Sequence, residues 1–223
     1  MASGSTYVKP RPGVSVPPMT PVTAVPVARR LGALAGVAAP VSFVGGWLLA
    51  GARADRYSPL RDAISQLARV GAPTRPLMTS AFVAFGVLAP VWAVTAARVL
   101  DAPGLRASVT TAGLGTLAVA ALPLGASFGD TPHAVAAGVG YVAMAVSPLL
   151  GGRALGRAGR TAPALASYGV GAVSTACLAG SLTGTWDGGF QRLGLGVVDA
   201  WFVVLAARAF RGLEGGSWPG RAQ

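Results

Sequence analysis

Arg61, Asp62, Asp130, His133, Asp187 and Arg192 are the residues of this sequence whose types could bind an anion and move a proton. Two guanidiniums can hold a phosphate or carboxylate through charge-assisted bonds. An imidazole beside a carboxylate can serve as general base. On that reading Asp130, His133 and Asp187 are the catalytic candidates. Arg61, Asp62, Ser65 and Arg192 are the candidates for holding an anionic lipid headgroup. The competing reading is ordinary loop charge pairing, Arg to Asp, which fixes a surface segment onto the rest of the protein. The second carries more weight, because an Asp130/His133 pair three residues apart is common local grammar.

Asp199 stands apart from this set. It falls in a long uncharged run, where a lone carboxylate costs about 2.5–3.5 kcal/mol on insertion scales. Such a residue should face a bundle interior and find a partner. Arg192 lies on the same helical face but two turns away, and Tyr141 and Tyr168 offer hydroxyls if the carboxyl is protonated. Asp199 is read either as a proton or cation relay or as a polar tether between helices.

Other chemistries are narrowed by counting. His133 is the single histidine and Cys177 the single cysteine. No multi-histidine zinc site and no internal disulfide can be built from one chain. There is no P-loop and no Gly-x-Ser-x-Gly elbow. No metal and no cofactor is expected, and the protein reads as non-enzymatic.

The elements that must position these residues are membrane spans. Charged residues make up 11% of the chain and apolar ones 52%, with a mean hydropathy of +0.58. A soluble domain carries about 25% charge, so lipid is the natural solvent here. The net charge of +11 does not point to nucleic acid, because the basic residues punctuate apolar runs instead of clustering with aromatics. The wealth of arginine, alanine and glycine has the flavour of a high-GC bacterial genome.

Uncharged runs predict an all-α membrane helix bundle with six transmembrane helices, over about 31–52, 77–97, 107–128, 132–152, 162–185 and 188–207. The six make one domain, 31–210. Spans 3 and 4 are separated by residues 129–131 alone, which predicts a tight hairpin. Pro40, Pro90, Pro123 and Pro148 lie inside runs, where a bundle tolerates kinks. GxxxG spacing at Gly32/Gly36, Gly125/Gly129 and Gly180/Gly184 suggests close helix contacts. Ser167, Gly171, Ser174 and Ser181 share one face, read as a packing seam. Residues 1–30, rich in Pro, Val, Thr and Ser, read as a disordered cytoplasmic tail, and 211–223 as a cytoplasmic C-terminal tail. Ala50-Gly51-Ala52 resembles a signal-cleavage site, but the preceding region is too long for a signal peptide.

Lysine and arginine bias places both termini in the cytoplasm of a multi-pass cell-membrane protein. One segment departs from that bias. Residues 53–76 carry Arg53, Arg56, Arg61, Arg69 and Arg75 yet fall outside. Within it, Ser58-Pro59 looks like a helix start. Leu60, Ala63, Ile64 and Leu67 form one helical face, and Ser58, Asp62, Ser65, Gln66 and Arg69 the other. This predicts a short amphipathic helix over 58–69 on the outer surface.

Tyr57-Ser58-Pro59-Leu60-Arg61-Asp62-Ala63-Ile64-Ser65-Gln66-Leu67, with Leu77-Met78-Thr79 opening the next span, resembles the signature of the bacterial and archaeal family called domain of unknown function 998. Gln191-Arg192 fits the same resemblance, which spans residues 30 to 212. It implies six helices and an integral membrane location, and no reaction. Three functions then compete: a scaffold, sensor or assembly partner; a small transporter using Asp199; or a lipid-headgroup-modifying enzyme using the outer cluster. The expected partners are the bilayer, an anionic headgroup or another membrane protein.

Overall fold

A computed structural model describes residues 27–214. Of the expected tails, residues 1–26 and 215–223 lie outside the described residues. Six long helices follow in order: α1 (Val27–Gly51), α2 (Arg75–Leu100), α3 (Pro103–Ala121), α4 (Thr131–Arg157), α5 (Thr161–Gly180) and α6 (Asp187–Glu214). A single short 3-10 turn, Ile64–Ala68, interrupts the α1–α2 connection, and there is no strand among the described residues. Five helices, all but α3, are long and apolar enough to cross a membrane. This is the architecture of a multi-pass membrane protein.

The helices form a closed ring. Each packs on its neighbour in sequence, and α6 returns to α1. Contacts of α4 with α6, and weaker ones of α2 with α6 and α4, cross the middle. Short connections explain the order, since consecutive antiparallel helices become neighbours. Prolines open α2, α3 and α4, where a missing N–H costs nothing.

Pro40, Pro90 and Pro148 lie inside α1, α2 and α4 as expected. Pro123 does not lie inside a helix. The span expected over 107–128 is instead α3, which ends at Ala121. A proline disfavours helical backbone in the residue before it, and Leu122 sits at φ −116°, ψ 64°. The tight hairpin at 129–131 is therefore corrected to a connection running from 122 to 130. At 1.5 Å per residue, the 19 residues of α3 reach roughly 28 Å. The other helices depart from expectation at their ends. α1 begins inside the expected tail, α5 stops at Gly180 and α6 runs on to Glu214.

The small-residue pairs separate on inspection. Gly32 lies against Thr95, and Gly36 against the Trp92 ring and Ala206, so that pair is a true helix contact. Gly125 and Gly129 fall in the α3–α4 connection with φ of +75° and +82°, and serve turns. Gly180 packs on Phe190, whereas Gly184 is again a turn residue at φ +78°. The α5 seam is Ala164, Ser167, Gly171, Ser174 and Cys177, all buried. The Ser167 hydroxyl donates to the Pro163 carbonyl at 2.8 Å and accepts from Trp201 Nε1 at 2.9 Å. Ser181 lies just past the helix, as its cap.

Candidate functional site

The helix expected over 58–69 does not form. Residues 58–62 make one turn, closed by the Asp62 N–H donating to the Ser58 carbonyl at 2.7 Å. Ala63 is then extended at φ −60°, ψ 148°, and the 3-10 turn Ile64–Ala68 follows. The cause lies in α6. The Ile64 N–H donates to Gln191 Oε1 at 2.6 Å, so a long-range bond takes the donor that a continuous helix would have used. Because that amide oxygen must accept, Gln191 Nε2 faces Tyr141 and donates to its hydroxyl.

Arg192 completes the attachment. Its Nη1 donates to the carbonyls of Pro59 at 2.6 Å, Asp62 at 3.0 Å and Gly188 at 2.9 Å. Its Nη2 donates to the Tyr57 hydroxyl. The guanidinium carbon lies 5.3 Å from the ring centroids of both Trp47 and Tyr57, within cation–π range. The approach is possible because the first turn of α6 carries Gly188 and Gly189. A Cβ at Gly188 would meet the carbonyl oxygens of Asp62 and Pro59, and the Gly189 N–H donates to the Leu60 carbonyl at 2.9 Å. Burial pushes the Tyr57 phenol above its ordinary value of 10, against the opposing pull of Arg192.

The remaining candidates take separate places. Asp62 Oδ2 accepts the Ser58 N–H at 2.6 Å. Arg61 is exposed. Ser65, assigned to the outward polar face by helical period, instead turns inward and lines an apolar cavity. Asp130 Oδ1 accepts the Gly125 N–H at 2.7 Å, and Oδ2 lies 4.0 Å from Arg69, where both side chains are about half exposed. Such a pair contributes about 0–1 kcal/mol. His133 is 4% exposed. Its Nδ1 donates to the Leu122 carbonyl at 2.8 Å and so caps the end of α3, leaving Nε2 buried without a partner. Asp187 Oδ1 accepts the Gly184 N–H at 3.0 Å. The three catalytic candidates thus bond to three different backbone groups, two of them in the α3–α4 connection, and make no hydrogen bond to one another among the described residues. Among the described residues, no group of three or more His, Cys, Asp or Glu side chains is placed to hold a metal ion.

Asp199 is 2% exposed, and neither carboxylate oxygen has a hydrogen-bond partner. It lies on α6 one helical turn beyond Leu195, which lines the cavity that Ser65 also lines. The residues that sequence reasoning undervalued are Trp47, Tyr57, Tyr141 and Gln191. Their signal was a polar pair, Gln191-Arg192, one residue after the Gly188-Gly189 opening of α6.

Residues 37–208 match the family model described as Protein of unknown function (DUF998). Neither the curated proteins nor the solved structures searched contain a match to the chain.

Proposed function

We propose that this chain, which belongs to the DUF998 family of unknown function, works without catalysing a reaction, as a membrane scaffold that presents a fixed basic surface to anionic lipid headgroups. In this reading α3 is a sixth crossing, both termini are cytoplasmic and the 52–74 connection lies outside, in the cell membrane. Arginine and lysine bias supports that orientation. The packing of α3 between α2 and α4 supports the crossing.

The observation that carries the reading is a division among the arginines. Arg192 is spent on holding the loop. The side chains of Arg53, Arg56 and Arg61 are exposed, and none makes a hydrogen bond or ion pair among the described residues. A loop so firmly attached offers these charges in a fixed arrangement. Each basic side chain near an anionic surface contributes about 1 kcal/mol. Wild-type protein in nanodiscs of mixed phosphatidylglycerol and phosphatidylcholine should therefore retain the anionic lipid preferentially, as read by native mass spectrometry. The triple variant Arg53→Gln/Arg56→Gln/Arg61→Gln should lower that preference at least about fivefold, and added salt should weaken it in the wild type. An unaltered lipid ratio in the triple variant rules the reading out.

One observation favours a second reading, a small transporter. The Asp199 carboxylate is buried in the ring without a partner, and intramembrane carboxylates of that kind mark ion pathways. Proteoliposomes loaded with a pH-sensitive dye would report it. Asp199→Asn should abolish a proton flux that the wild type carries. Equal flux in the two proteins, or none in the wild type, removes this reading. The headgroup-modifying enzyme has less support, because Asp130, His133 and Asp187 spend their bonds on Gly125, Leu122 and Gly184.

A further inference from the structure

The 3-10 turn Ile64–Ala68 roofs a cavity at the centre of the ring. Five of the six helices line it, and α5 contributes nothing. Its body is Phe43, Phe82, Phe85, Met144 and Leu195. Three hydroxyl groups also face it, from Ser65, Thr116 and Tyr141, and no charged side chain does. These hydroxyls are not equivalent. Thr116 donates to the Ala112 carbonyl at 2.9 Å in its own helix. Tyr141 accepts from Gln191 Nε2, which leaves its own proton to give. Ser65 is 8% exposed, and its hydroxyl has no hydrogen-bond partner among the described residues. That hydroxyl is free to bond a ligand or a water in the cavity.

We propose that this cavity is a binding site for a small uncharged amphiphile: a short apolar body carrying one hydroxyl or carbonyl. The apolar body sits among the phenylalanines and Met144. The polar atom meets Ser65 Oγ and the Tyr141 hydroxyl under the roof. The cavity measures about 40 Å³, which admits roughly three water-sized groups. That matches the hydroxylated end of an alkanol or of a longer chain. A cation or anion is disfavoured, because the lining offers it no opposite charge. The site is independent of the exposed arginines and of the scaffold reading built on them.

The full-length protein in dodecyl maltoside is photolabelled with 3-azibutanol, and the adducts are mapped by peptide mass spectrometry. Saturable adducts are expected on the peptides carrying Ser65 and Tyr141. An excess of 1-butanol should compete them away, and butylammonium and butyrate should not. Ala136→Leu places extra carbon in the cavity and should lower this labelling at least fivefold. If that variant does not fold, Ser65→Ala keeps the shape, removes the unpaired hydroxyl and should weaken saturation severalfold. The same labelling in lipid nanodiscs distinguishes the source: persistence means a free small molecule, and loss means that a lipid chain end already fills the site. Labelling that does not saturate, that spreads over the exposed face of α5, or that both charged competitors displace as well as 1-butanol overturns the proposal.

Discussion

Arg192→Ala is expected to destabilise the protein by about 3 kcal/mol, more than any other single side-chain truncation at the loop. The guanidinium donates to the carbonyls of Pro59, Asp62 and Gly188 and to the Tyr57 hydroxyl. A hydrogen bond from a charged group contributes about 1.5–3 kcal/mol. Stacking between Trp47 and Tyr57 adds about 0.5–1 kcal/mol at a partly exposed site. The total falls below the sum, because Arg192 is only partly buried and water replaces some bonds. By the usual scaling, the melting temperature should fall roughly 6–12 °C, measured by differential scanning fluorimetry in detergent. Arg192→Lys should recover less than half of the loss, since an ammonium is a point donor and cannot span loop and ring at once. A fall under about 2 °C, or full recovery by lysine, would show that the loop is held by something else.

Gly115→Leu should separate α3 from α4. A Cβ at Gly115 would lie 2.9 Å from Gly140 Cα, 3.1 Å from Gly140 N and 3.2 Å from the Ala136 carbonyl oxygen. All three are backbone atoms, so no rotamer change relieves the contact and one helix must move. Overpacking costs about 1–3 kcal/mol, and leucine at a backbone crossing should reach the top of that range. The damage should concentrate at α3, the one long helix that does not qualify as a span by length and hydropathy. Thermal melts and limited proteolysis of the connection from 122 to 130 would report it. Gly138→Leu is the matched control, because a Cβ there meets nothing within 4 Å. If the two substitutions cost the same, the crossing at Gly115 is not a close backbone contact.

The helices were legible because lipid-facing and core-facing positions both demand apolar residues. Long uncharged runs therefore announce spans whatever their packing. Their ends were less legible. α3 stops at Ala121 because Pro123 terminates it, yet Pro40, Pro90 and Pro148 are carried inside helices. A proline inside a helix needs neighbours that satisfy the freed carbonyl, and sequence alone does not reveal them. Gly125/Gly129 shows the same limit. Its spacing matched a helix-contact motif, but positive φ at both residues places it in a turn.

Residues 58–69 show the limit most clearly. Helical period correctly assigned Ile64 and Leu67 to the buried face, and both are 1% exposed. The same period assigned Ser65 outward and Leu60 inward. Leu60 is 54% exposed, and Ser65 is buried. The extended backbone at Ala63 breaks the phase between the two halves, and the break is set by Gln191, 127 residues away from Ile64.

Sequence by itself determined that this is a helical membrane bundle, and the resemblance carried by residues 57–67 and Gln191-Arg192 pointed to its family. The bundle follows from local composition and the spacing of uncharged runs. Tertiary structure alone decided that Arg192 is a loop anchor and that Ser65 faces a central cavity. Those depend on which distant donors and acceptors meet when the ring closes. A buried hydrogen bond is decided by that meeting and not by helical period.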